Sequence, residues 1–195
     1  LSCGAGDNSI VLNNVAAAAI PGSGGGTGKV TLGGGVYHGQ SPGTLTLNGT
    51  STGGWSGTTT INNGMTMLLN ASSQALLNTS AINLNGGAIT LTNTTNALGL
   101  LNRLSDSATI TANTGTITYA NTSLLDANYT ETIGTVALTS GQMNFVLATN
   151  QTATNNTQTL SLAGLTRTGT TNRSTVTFAA PVTGPNTTTN QIVIA

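Results

Sequence analysis

Charge is what this chain has least of. Only 4% of its 195 residues are Asp, Glu, Lys or Arg, against roughly 25% in an ordinary soluble domain. Lys29, Arg103, Arg167 and Arg173 balance Asp7, Asp106, Asp126 and Glu131, so the net charge is zero. Four scattered cations cannot displace the counterions of a polyanion, which excludes a nucleic-acid surface and argues against an anionic membrane surface. Aromatics are also scarce, at 3%, so any core must be built from Leu, Ile, Val, Ala and Thr. Such thin side chains suit a long narrow interior better than a round one. The single cysteine, Cys3, excludes an internal disulfide. Leu1 lies two residues before it, not the three of a lipidation signal, and Cys3 reads as a small buried or incidental thiol. No apolar run approaches the ~20 residues of a membrane-spanning helix. No basic stretch precedes an apolar one, so a signal peptide is expected to be absent or already removed.

Thr, Asn, Gly and Ser fill the space that charge leaves. The first forty residues are glycine-rich, with short strand candidates at 9–12 and 29–32. From residue 44 a period-two alternation becomes regular, at 44–48, 58–62, 65–69, 81–85, 88–92, 108–112 and 115–119. It continues at 135–139, 142–147, 159–163, 174–179 and 190–194. Aliphatic residues separated by one polar residue mark half-buried strands. Turn chemistry separates them at Asn62-Asn63-Gly64, Asn85-Gly86-Gly87, Asn113-Thr114-Gly115 and Ser140-Gly141. Residues 74–77 and 96–104 predict at most a short helical turn each.

Two- and three-residue joints fit hairpins, and hence an antiparallel β-sandwich, or the corners of a coil. The recurrence of long and short spacings favours the coil, an all-β solenoid. Turns of ~20–25 residues would number about eight or nine and make a rod about 40 Å long. Residues 1–43 would be an irregular segment or the first coils, 44–180 the solenoid, and 181–195 a strand available to a neighbouring subunit.

The run Thr44-Leu-Thr-Leu-Asn-Gly49, then Gly53-Gly-Trp-Ser-Gly-Thr-Thr-Thr-Ile-Asn-Asn-Gly64 and Met65-Thr-Met-Leu-Leu69, resembles the autotransporter-associated β-strand repeat. Residues 78–91 (NTSAINLNGGAITL) resemble the segment that usually follows it, so the likeness is best over 44–91. It implies a right-handed parallel β-helix exported to the bacterial cell surface or beyond, with a scaffold role. Trp55 interrupts the usual glycine–threonine tract. The aromatic girdles of an outer-membrane barrel are missing. A fragment, a processed passenger or a protein exported by another route is therefore expected.

Chemistry is thin. Residues 23–30 (SGGGTGKV) superficially resemble a phosphate loop, but Ser23 stands where the first Gly is needed and Val30 where Ser or Thr would hold magnesium. His38 is the only histidine, too few for a zinc site; no metal and no cofactor is expected. Asp is too rare for a calcium-binding β-roll, and calcium at Asp106 or Asp126 would lean on carbonyls. Asp126 and Glu131 are the only acidic pair close in sequence, and they read as a solvated loop without a nearby cation. No catalytic residues are assigned. Asn-x-Ser/Thr sequons at Asn48, Asn70, Asn78, Asn93, Asn121, Asn128, Asn150, Asn155, Asn172 and Asn186 are candidate glycosylation sites, in a composition that produces them by chance.

The sequence thus predicts a structural, non-catalytic, extracellular β-solenoid of a surface layer, adhesin or self-assembling fibre. Strands without charge lack the usual guard against edge pairing. Ile192, Val193 and Ile194 form a candidate assembly strand for self-association. One alternative is a glycan- or receptor-binding adhesin module, with Trp55, Tyr37 and Tyr119 on one flank. Another is an ice-binding solenoid, suggested by Thr-x-Thr pairs at Thr44, Thr109 and Thr116, although that activity needs a flat, regular Thr array on one face and the Thr spacing drifts between turns.

Overall fold

The computed structural model describes residues 9–13, 30–32, 43–48, 56–70, 76–93, 102–121, 128–149, 157–169, 173–179 and 189–195. Strands dominate, and no helix occurs among the described residues. The first seven are β1 (Ser9–Asn13), β2 (Val30–Leu32), β3 (Gly43–Asn48), β4 (Thr59–Asn62), β5 (Met65–Asn70), β6 (Ala81–Asn93) and β7 (Thr109–Asn121). After them come β8 (Asn128–Ile133), β9 (Val136–Leu138), β10 (Gly141–Thr149), β11 (Thr157–Leu162), β12 (Leu165–Arg167), β13 (Ser174–Ala179) and β14 (Thr189–Ile194).

Every pairing between these strands is parallel. A hairpin can only join antiparallel strands, so the antiparallel sandwich is overturned. One column runs β1-β3-β5-β6-β7-β10-β13, and a second runs β2-β4-β6-β7-β9-β12. The two are one sheet because β6 and β7 pass through both. A separate three-stranded sheet runs β14-β11-β8.

The long strands β6 and β7 merge what the alternation divides into two pieces each. Asn85-Gly86-Gly87 is a bend within β6, taken at a positive φ of 84° by Gly86, a conformation that suits a residue without Cβ. Gly87 serves a different need. A Cβ there would lie 2.5 Å from Ile61 Cγ2 and 2.8 Å from the Asn62 carbonyl oxygen. β8 and β12 escape the alternation altogether. β8 carries Tyr129 and Glu131 at inward positions, and β12 has only three residues. The segments expected to offer a helical turn instead meet in an isolated parallel bridge, Leu76 to Leu104.

Register stacks like on like. One row runs Ile10, Leu45, Met67, Ile89, Ile117, Phe145, Phe178. A second runs Leu32, Ile61, Leu84, Ala112, Leu138, Arg167. From Leu45 to Phe145 and from Leu32 to Leu138 these residues are buried in one continuous core. Like residues stacked along a row bury part of each other's apolar surface between paired strands.

Candidate functional site

Three features stand out from this regular background. The first is the end of the rows. In β12, β13 and β14 the residues that continue the core rows are no longer covered. Phe178 is 47% exposed and Ile194 45%, while Leu165, Val176 and Ile192 are partly buried. Ile192 and Ile194 continue rows from Leu160 and Leu162, both buried. Val193 pairs with Ser161 between them and is 42% exposed on the outward side. The last residue of one row is a cation, Arg167, exposed where Leu138 lies beneath it. β14 itself is held in parallel by β11 of the same chain.

The second feature is the corner where β6 and β7 bend. Asn85 Nδ2 donates to Asn62 Oδ1 at 3.2 Å, 23 residues away, and Asn113 Nδ2 donates to Asn85 Oδ1 at 2.9 Å, 28 residues away. The Thr139 hydroxyl extends the ladder by donating to Asn113 Oδ1. Beside it lies an open trough of about 380 Å³ whose lining includes Thr66, Ala88, Thr116, Asn144 and glycines 64, 86, 87 and 115.

The third feature is a polar cluster in the core. Arg103 and Glu131 are both fully buried, with Arg103 Nε 3.7 Å from Glu131 Oε2. Glu131 Oε1 accepts the backbone N–H groups of Arg103 at 2.8 Å and Leu104 at 3.1 Å. The guanidinium lies 5.8 Å from the centre of the Tyr119 ring. Gln158 Nε2 donates to the Tyr119 carbonyl at 2.6 Å, and Tyr129 neighbours Gln158 in register. Burial pushes the Glu131 carboxyl up to about 7, against the opposing pull of Arg103 and the two backbone amides. Burial likewise lowers Arg103 and raises Tyr119. Desolvation of the charged form outweighs attraction within the pair.

This cluster corrects the view of Glu131 as part of a solvated loop without a cation nearby. Its partner comes from 28 residues earlier, the same step that separates Asn85 from Asn113. That coincidence of spacing is the sequence signal that could have paired them. Asp126 lies outside the described residues, as do Cys3, Lys29, Tyr37, His38 and Trp55. Tyr119 is fully buried, so it presents no aromatic platform to a sugar. Asp106 is exposed on a turn. Of the sequons, Asn78 is exposed. Asn48, Asn70, Asn93 and Asn121 are the last residues of β3, β5, β6 and β7, and Asn128 is the first of β8; Asn150, Asn155, Asn172 and Asn186 lie outside the described residues. No helix among the described residues is long and apolar enough to cross a membrane.

The chain matches no family model, no curated protein and no solved structure.

Proposed function

We propose that this chain is a structural, non-catalytic module, a right-handed parallel β-helix outside the bacterial cell that adds to itself end to end. The reading of a coil is supported by the two columns and third sheet, all parallel and each returning in sequence order. Seven strands in the longest column, at the usual ~4.8 Å spacing, make a stack of about 30 Å. The extracellular setting rests on the likeness to autotransporter-associated repeats over 44–91 and on the near absence of charge.

One observation carries self-assembly: the core rows run out at β12–β14 with Phe178 and Ile194 exposed at inward positions. An uncovered cross-section of core is apolar surface that a further layer, here a second copy, would bury. All strands being parallel, a second copy related by translation along the stack brings its β1 edge to the β13 edge with matching polarity. Arg167 on that end opposes a tail-to-tail arrangement, which would bring like charges together, and its flexible stem lets the charge reach the rim in a head-to-tail one. A non-catalytic role is supported by Glu131, whose carboxylate is turned inward onto two backbone amides. Sedimentation velocity and electron microscopy of the purified chain test the proposal. Rods lengthening with concentration are expected, and a strict monomer up to millimolar concentration overturns it.

A second reading is favoured by the outer row Thr44, Thr66, Ala88, Thr116, Asn144, Thr177. Unequal spacing along the chain is absorbed between strands, so Thr44 and Thr116 share a row despite the drift, while Thr109 belongs to the other column, opposite Ala81. A row in which four of six residues carry a threonine hydroxyl in register is the feature that suits an ice surface. Thermal hysteresis in the purified protein supports that reading, and its absence removes it.

A further inference from the structure

The described core is almost wholly aliphatic, yet two of the eight charged residues in the entire chain are spent inside it. What the guanidinium and one carboxylate oxygen lack there is hydrogen bonding. Arg103 Nε, Nη1 and Nη2, the Tyr119 hydroxyl, Glu131 Oε2 and Gln158 Oε1 are all buried without a hydrogen-bond partner among the described residues. The ion pair does not remedy this, because 3.7 Å between Nε and Oε2 is too long for a hydrogen bond. A guanidinium carries five N–H donors and does not lose its charge in a protein. Donors therefore outnumber acceptors heavily among the unpartnered atoms, and the excess surrounds a positive charge. Each such atom left unpaired in a core is costly.

We propose that this cluster is an anion site, in which the Arg103 guanidinium receives a small monovalent inorganic anion of halide size and Glu131 takes up a proton with it. The anion accepts from Arg103 Nη1 and Nη2 and from the Tyr119 hydroxyl. The proton comes from solvent and sits on Glu131 Oε2, which then donates where before it could only accept. Glu131 Oε1 keeps its two backbone N–H bonds in either state. Net charge inside the core is unchanged, because one anion replaces the carboxylate charge that the proton cancels. Without the anion, protonating Glu131 would leave Arg103 as an uncompensated buried charge. The charged and titratable groups that bear on Glu131 are Arg103 from residues 102–105, Tyr119 from β7 and Asp106; Tyr129 lies two residues before it on the same strand, and β11 sets Leu160 beside it in register, with Gln158 beside Tyr129. Its carboxyl, raised to about 7 by burial, is within reach of a proton at ordinary pH.

Thermal unfolding of the intact chain in sodium chloride and in sodium gluconate at equal ionic strength reads the site. Chloride is expected to raise the melting temperature over gluconate, with an apparent affinity more than about tenfold tighter near pH 5.5 than near pH 8.5, since only the protonated form is competent. Glu131→Gln, which imitates the protonated carboxyl, is expected to keep the chloride effect and lose its pH dependence. Arg103→Gln is expected to lose the effect. Because that variant removes a buried charge and can fail to fold, bromide-soaked crystals of the unaltered chain provide the second arm. An anomalous peak within hydrogen-bond distance of the guanidinium supports the site. Ordered water alone at that position, or identical melting in chloride and gluconate near pH 5.5, overturns it.

Discussion

Phe178 stacks on Phe145 with ring centroids 5.5 Å apart and planes 13° from parallel, yet Phe145 is fully buried and Phe178 is 47% exposed. The two residues hold the same position in adjacent strands of one row. They differ only in whether a further layer covers them. Truncating each therefore separates stability from assembly. Phe145→Ala opens a cavity between covered layers and is expected to cost about 3–5 kcal/mol. Phe178→Ala forfeits chiefly the ring pair, about 1 kcal/mol, while removing the widest apolar surface at the uncovered end. Denaturant melts are expected to rank Phe145→Ala as the severe change. Sedimentation is expected to show the Phe178 variant as the one that no longer lengthens with concentration.

Close approach at the corner is equally testable. Gly87→Ala places a methyl group 2.5 Å from Ile61 Cγ2 and within 3 Å of the carbonyl oxygens of Asn62 and Ile61. The side chain can turn, but the two backbone oxygens cannot withdraw without opening the β4–β6 pairing. A loss of about 1–3 kcal/mol is expected, the usual range for overpacking. Ala88→Gly, one residue on at a half-exposed outward position, serves as the control. It is expected to cost no more than about 1 kcal/mol, from backbone entropy alone.

Asn85 stands in the middle of the corner ladder, donating to Asn62 and accepting from Asn113. Asn85→Ala removes both bonds, at about 0.5–1.5 kcal/mol each. Asn113→Asp is the more selective change, because it removes the Nδ2 donor to Asn85 but keeps an oxygen for Thr139. Half the loss of Asn85→Ala is expected for it at neutral pH, and hydrogen exchange should show the change concentrated at the β6–β7 bends.

The strands and their alternation were legible in the sequence because Thr-spaced Leu and Ile encode the inward side directly. Residues 174–179 match β13 at both ends, and the Asn-Gly joints fall at the bends. Which strand lies beside which was legible only as a rough period. The step is 23 residues from Asn62 to Asn85 but 28 from Asn85 to Asn113, since the segments between strands vary in length while the sheets do not. β8 was hidden for a chemical reason: Tyr129 and Glu131 fill positions where a buried strand normally shows aliphatic residues. A carboxylate reads as solvent-facing until its cation is found, and Arg103 is distant in the chain. The Thr rows misled in the opposite direction, their uneven spacing in sequence concealing a common register.

The buried carboxyl also sets how stability should follow pH. An ordinary glutamate has a value of 4.5, and burial raises Glu131 to about 7 in the folded chain. The folded state thus holds this proton more tightly than the unfolded state does, so stability falls wherever the unfolded chain has lost the proton and the folded chain has not. The contribution is whole below about 4.5, and is lost as pH rises through about 7. That is the reverse of the behaviour of a carboxylate stabilised mainly by its ion pair. Asp106, also raised by desolvation, is exposed on its turn, and water screening leaves it a minor part of the same trend. In gluconate, melting temperatures are therefore expected to fall from about pH 5 to about pH 8, and Glu131→Gln to flatten that slope. A rise across the same interval would mean that Arg103 attracts the carboxylate more strongly than burial opposes it.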